Sequence, residues 1–472
     1  MSPALARAPI ALLGLLALIA CPDPARADFL YGRLTPQGGE ANARSSWVDV
    51  SSDGRTVVFT SDSQLWLGDT FNGTRALAVD LQAGTVEALS ADGSGLFRGE
   101  APAVSGDGRY IAFLTHANGS YGPNWQALRK DRQTGAVVLA SSNLIGQAAD
   151  SGIEDNTVSI SADGRHVAFQ STSSNLGAAH ANPAGGGMVP AGSSGEIFVK
   201  DMVSGELKVA SRKNDGSLSG GTCDLLPHAL SGNGRLVVML CSPAMVGGAT
   251  AGQVYVRDLQ ANTTELISRN AAVPNGTSTF GGRPAISPSG RFVSFQMRGY
   301  GGLGYADGAN IASNSGIYVR DRQAGTTTSI PRPALLPSTE YDTCSVTAIS
   351  DVGSVVLACL NTWAGAGRYP QVFLFVPGAG APELISPAAG GTGASNGSAG
   401  STLAVNASGL SMAWESEASN ADANDHNGVT DIYVLVEESV IFDVIFANGF
   451  DPAEQGRVTA PAVLEVMSAR GH

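Results

Sequence analysis

Charge is scarce in this 472-residue chain: 15% of residues are charged, with 28 Lys+Arg against 41 Asp+Glu, for a net charge of −13. No basic run or stripe is present, which argues against nucleic acid and anionic membrane surfaces as partners and leaves a cationic or neutral one. Aromatics are only 6% of the chain. No sustained 3.6-residue periodicity occurs, so helical bundles and helical repeats are excluded. Cysteine is limited to five residues, none with the C-x-x-C or H-x-x-H spacing of a zinc site. The apolar stretch near the N-terminus is too short to span a bilayer as a permanent helix.

What is abundant is glycine, 60 residues of it, much of it in register. Residues 158–169 read V-S-I-S-A-D-G-R-H-V-A-F: a strand, a tight Asp-Gly turn and a second strand. The phrase returns at 48–59, 103–113, 229–239, 285–295, 348–358 and 403–414. Its turn glycines are Gly54, Gly108, Gly164, Gly234, Gly290, Gly353 and Gly409, spaced 54, 56, 70, 56, 63 and 56 residues apart. Seven copies at a near-constant period mean a repeat architecture. A third strand in each unit ends in a cation–Asp pair, as in Lys200-Asp201, Arg257-Asp258 and Arg320-Asp321. A turn closed by Gly205, Asn262 or Gly325 leads into a fourth, and Asp80 with Gly84 and Asp131 with Gly135 repeat the pattern. Asp opens such turns by bonding its own backbone, while Gly and Asn tolerate the left-handed residue. Four antiparallel strands repeated seven times predict an all-β fold, a seven-bladed β-propeller of four-stranded antiparallel blades.

The S-x-D-G-R-x-V-A-F phrase followed by I-Y-V-x-D resembles the propeller repeats of TolB-like (WD40-like) periplasmic proteins, over residues 47–436. The resemblance implies a propeller and a cell-envelope setting. TolB also has an N-terminal α/β domain, for which the chain has no room, so the role in the Tol system is not carried over.

Residues 1–27 read as an export signal: Arg7, an apolar core over 10–20 and an Ala25-Arg26-Ala27 cleavage pattern. Leu18-Ile19-Ala20-Cys21 also resembles a lipobox, which would make Cys21 a lipid anchor. The expected location is periplasmic or secreted, with an outer-membrane lipoprotein as the variant. Residues 28–450 form the propeller and 451–472 a mobile tail. Residues 29–33 and 440–446 compete for the outer strand of the seventh blade. Cys223 with Cys241, and Cys344 with Cys359, straddle their turns almost symmetrically, so each pair is expected to face across two strands as a structural disulfide. Disulfides suit an exported chain.

Strand order places the short Asp-Gly turns on one face of the ring and the variable loops on the other, where binding is usually carried. The ligand-binding candidates on that face are Tyr121, Trp125, Tyr300, Tyr305, Trp363 and Tyr369, aromatics suited to stacking on sugars or side chains. His116, His166 and His228 fall on or beside repeat strands and read as structural. The one G-x-S-x-G, at Gly393, Ser395 and Gly397, lacks the strand-to-helix setting of a nucleophile elbow. No catalytic residue is assigned. Asp422, Asn424 and Asp431 are spaced loosely like a calcium loop and are the metal candidate; no other cofactor is expected. The expected function is a monomeric, non-catalytic scaffold for a protein or glycan partner in the cell envelope. The alternative is a glycan-acting propeller enzyme, a glycoside hydrolase or polysaccharide lyase, with carboxylates at the channel mouth.

Overall fold

The computed structural model describes residues 17–19, 29–36, 39–116, 121–122, 124–178, 195–242, 245, 252–270, 276–277, 280–298, 315–331, 333, 344–361, 369–386, 396–422, 425–437 and 465–466. Seven antiparallel blades of four strands stand around a central channel, and blades 1 to 6 are each built in chain order from the innermost strand outward. Blade 1, for example, comprises Ser45–Val50, Thr56–Ser61, Arg75–Asp80 and Thr85–Ala88. Blades 2 to 6 begin with Glu100–Val104, Ile153–Ile160, Thr222–Asp224, Phe280–Ile286 and Cys344–Ile349. Blade 7 takes Ala399–Val405, Ser411–Ser416 and Asp431–Glu437 from the end of the propeller. Its outermost strand is Phe29–Leu34, paired antiparallel from Phe29↔Glu437 to Leu34↔Ile432, so the ring is closed by the start of the propeller. The competing residues 440–446 lie outside the described residues. Two short segments, Ala17–Ile19 and Glu465–Val466, pair with Phe29–Leu34.

The repeat phrase has a physical reason at every position. In blade 2, Ser105 Oγ donates to Asp107 (2.7 Å) and accepts from the Tyr110 amide (2.9 Å), while Asp107 accepts from the Arg109 amide (3.0 Å). Arg109 then reaches across the blade to Asp131 at the end of the third strand, Nη2 to Oδ2 2.7 Å. This hydrogen bond holds the Asp131 carboxyl well below the ordinary carboxylate range. Arg165–Asp201, Arg235–Asp258 and Arg291–Asp321 repeat the fork, each at 2.6 Å. The D-G-R and x-D signals are thus two ends of one contact that ties the two turns of a blade together.

The turn glycine has a second duty between blades. Gly164 has φ +67°, and a Cβ there would stand 2.2 Å from Tyr110 Cδ2 of the preceding blade. Gly234 is set in the same way against His166, and Gly290 against Leu236. Each turn lies flat on the side chain that follows the arginine position of the blade before it. The core is the set of interfaces between blades, where the last aromatic of the phrase (Phe59, Phe113, Phe169, Phe295, Trp414) is fully buried. Each contributes roughly 1.5–3 kcal/mol by leaving water.

Both cysteine pairs form disulfides, Cys223–Cys241 and Cys344–Cys359, directly opposite in register on the first two strands of blades 4 and 6. They lie at the strand ends remote from the Asp-Gly turns, the variable-loop side. Disulfides agree with an extracytoplasmic, oxidising setting. Among the described residues no helix is long and apolar enough to cross a membrane.

Candidate functional site

The channel is built from the innermost strands and from the second residue of each turn. That residue is small in most blades (Ser52, Gly106, Ala162, Gly232, Pro288 and Ala407) because adjacent turns touch there. Ser52 N donates to Gly106 O (3.0 Å), Gly106 N to Ala162 O (2.8 Å), Asp163 N to Gly232 O (3.2 Å) and Gly232 N to Pro288 O (2.6 Å). The series continues through Ser289 N to Asp351 Oδ1 (2.6 Å) and Asp351 N to Ala407 O (2.8 Å). Asn406 Nδ2 to Ser52 O (3.1 Å) then completes a collar around the turn-side end.

Above the collar every blade contributes to a cavity of about 70 Å³. That is room for a few water molecules, far below the several hundred Å³ of an ordinary small-molecule pocket. Of the described residues lining it, only Asp49 and His228 carry ionisable side chains. Asp49 sits just past a bulge in the innermost strand of blade 1. Its Oδ1 accepts from the Val50 amide (2.8 Å) and its Oδ2 from Val104 of blade 2 (2.9 Å). Burial pushes its carboxyl up, against the opposing pull of His228 and these two amides.

His228 arrives by a different route. The innermost strand of blade 4 breaks off after Asp224, and the chain rejoins the sheet at the Leu230↔Val237 bridge. Pro227 helps to keep this excursion out of the ladder, since it has no amide hydrogen to offer. His228, with φ +57°, is thereby turned into the channel. Its Nε2 lies 3.1 Å from the Leu403 carbonyl of blade 7, and its Nδ1 lies 3.7 Å from Asp49 Oδ1. The Cys223–Cys241 disulfide pins the strand immediately before the excursion. Trp47, Ala101 and Arg283 also have positive φ, each seven residues ahead of its turn glycine. Bulges of this kind re-aim side chains. His228 is the site residue that reading by strand pattern missed. The available signal was the Leu-Leu-Pro-His stretch where the other copies show a plain strand.

On the variable-loop face, three of the six aromatic candidates fall among the described residues. Tyr121 donates its hydroxyl to Asp92 (2.9 Å), and its ring lies 5.7 Å from Phe97, so it anchors the link between blades 1 and 2. Trp125 packs 5.0 Å from His116. Tyr369, at the start of the third strand of blade 6, is exposed. Tyr121 and Trp125 share a loop; Tyr369 stands three blades away around the ring. Tyr300, Tyr305 and Trp363 lie outside the described residues, as does Ser395.

A second feature near this face was also missed. Gln126 and Gln253 open the third strands of blades 2 and 4, and Gln371 is the third residue of that strand in blade 6. Each accepts from a serine two residues past the end of the fourth, Ser141 (2.6 Å), Ser268 (2.8 Å) and Ser386 (3.2 Å). Blade 3 has Glu196 in this place, bonded to Ser211. Burial pushes Glu196 up to about 7, opposed by Ser211 and by the nearby Arg212 charge.

The residues proposed for calcium gather around a cation from the chain's other end. Asp422 Oδ2 lies 2.9 Å from Arg33 Nε, and Asp431 Oδ2 lies 3.0 Å from Arg33 Nη1. Asp425 and Glu40 stand at 3.4 and 3.2 Å from the same guanidinium. Asn424 lies outside the described residues. Among those described, no group of three or more His, Cys, Asp or Glu has the geometry to hold a metal ion.

No family model and no curated protein sequence matches the chain. Solved structures do. TolB from Acinetobacter baumannii is similar at 13% identity, over 74% of this chain and 66% of that one, with a TM-score of 0.38. The β-propeller domain of the trilobed protease from Pyrococcus furiosus is similar at 12% identity, over 80% and 90%, with a TM-score of 0.47. Oligogalacturonate lyase from Vibrio parahaemolyticus is similar at 11% identity, over 92% and 100%, with a TM-score of 0.50. At these identities the likeness is one of fold, and the chain is a seven-bladed β-propeller with TolB-like repeats.

Proposed function

We propose that this chain is an exported, non-catalytic scaffold that binds a protein or glycan partner through its variable-loop face, in the periplasm or at the cell surface. Export rests on residues 1–27, with Cys21 as the point of lipidation in the anchored form. The observation that carries the reading is the state of the channel pair. Asp49 accepts two amide hydrogens and His228 Nε2 is engaged by a backbone carbonyl. A His–Asp pair working on a nucleophile keeps Nε2 free for it.

The test is capture from envelope extract with the purified mature protein, beside a Tyr300→Ala/Trp363→Ala variant. A partner held by the wild type and lost by the variant is the expected result. Capture unaffected by the variant rejects the face assignment. The second reading, an enzyme acting on glycans, draws on the likeness to oligogalacturonate lyase, which spans the whole of that chain. Absence of any partner together with release of products in a glycan-cleavage screen would replace the first reading with it.

A further inference from the structure

The His228–Asp49 pair presents two acceptors to each other. A carbonyl oxygen can only accept, so the 3.1 Å contact with Leu403 O puts the hydrogen on His228 Nε2. In the neutral imidazole, Nδ1 then carries a bare lone pair. That lone pair faces Asp49 Oδ1 at 3.7 Å, beyond hydrogen-bond reach. With His228 neutral, the carboxylate has amide partners but, among the described residues, no cation beside it, and burial acts against its charge. No other titratable residue among those described lines the cavity. A site with two facing acceptors, one of them anionic, calls for an occupant that brings both positive charge and hydrogens.

We propose that the channel binds a protonated primary amine at this point, a lysine side chain or an N-terminal amine of the partner, bridging His228 Nδ1 and Asp49 Oδ1. An ammonium group has three donors and one compact charge. Alkali and alkaline-earth ions favour oxygen over imidazole nitrogen, and the roughly 70 Å³ available admits an alkylammonium head. The chain's net charge of −13 favours the approach of such a cation. In naming the partner's chemistry, the proposal rests on the scaffold reading.

The test uses the mature protein with ¹⁵N-labelled histidine imidazoles at about pH 8, where an ordinary imidazole is neutral. n-Butylamine is the probe and n-butanol its uncharged match; a His228→Gln variant assigns the signal. The expected result is a saturable shift of the His228 Nδ1 resonance with the amine and none with the alcohol. Asp49→Asn weakens the response at least tenfold, and its melting temperature reports whether the ring still folds. The amine–alcohol contrast in the wild type stands even if that variant does not fold. Three results each overturn the proposal: equal shifts with both probes, no shift with either, or an Nδ1 already protonated without amine, the imidazolium then bridging to Asp49 unaided. Partner capture plays no part in this readout, so the scaffold reading and the amine site fail separately.

Discussion

Arg33 and Asp431 are 398 residues apart in sequence, and Arg33 Nη1 lies 3.0 Å from Asp431 Oδ2 with both side chains buried. The contact sits on the seam where Phe29–Leu34 completes blade 7, and the same guanidinium serves Asp422, Asp425 and Glu40. Arg33→Leu would leave several carboxylates facing one another without a cation. Breaking a buried ion pair from one side costs about 3–5 kcal/mol, so the denaturation midpoint is expected to fall steeply. A loss under about 1 kcal/mol would mean that the strand ladder alone holds the ring closed.

Gly164 and Tyr110 join blades 2 and 3. Arg109 and Arg129 lie over the Tyr110 ring at 4.8 and 4.4 Å, and Arg129 Nη1 donates to Gly164 O (2.7 Å). Gly164→Ala would meet both the positive φ of +67° and the Tyr110 ring. The backbone alone costs about 1–3 kcal/mol. Gly135 also has positive φ, but a methyl group there would have no atom within 4 Å, so it supplies the control. Gly135→Ala is expected to lower the melting temperature less than Gly164→Ala; equal losses would remove the close approach from the account.

Glu196 stands where three other blades use glutamine, and burial pushes it up to about 7. The folded state therefore holds a proton that the unfolded state releases at a lower pH. Its contribution is complete at acid pH and is lost as the pH rises from about 4.5 to about 7. Glu196→Gln removes that slope, so the variant gains on the wild type through this window by up to roughly 3 kcal/mol. Melting temperatures across pH 4–8 check it. Parallel curves for the two proteins would show that Glu196 titrates normally.

Both disulfides span short hairpins, with separations of 18 and 15 residues. Loop-closure entropy for such lengths is worth about 3 kcal/mol each. Cys344→Ser/Cys359→Ser is expected to lose about that much in equilibrium unfolding. Cys223→Ser/Cys241→Ser should lose a similar amount and also broaden the His228 resonances, because that bridge pins the strand leading into the channel excursion. An unchanged His228 spectrum would free the channel from dependence on the bridge.

Much of the architecture was open to view in the chain itself because its causes are local. An Asp-Gly turn needs its glycine at positive φ, and an alternating strand needs its period of two. A cysteine equidistant from a turn meets its counterpart across the hairpin. Repetition multiplied these local signals seven times, so blade count, strand order, both disulfides and the two faces of the ring followed from residue spacing. The Gln–Ser bond of blades 2, 4 and 6 was equally regular and went unread, since a glutamine within a strand has no turn or periodicity to mark it.

What the tertiary structure alone decided is every contact between distant blades. Asp422 and Asp431 resemble a calcium loop when read along the chain; their neighbour in space is Arg33, brought there by the closing strand. His228 reads as one more strand histidine until the ring sets it across the channel from Asp49 of blade 1 and Leu403 of blade 7. Residues far apart in sequence leave no periodic trace of their pairing, because the register that joins them belongs to the closed ring and not to any one repeat.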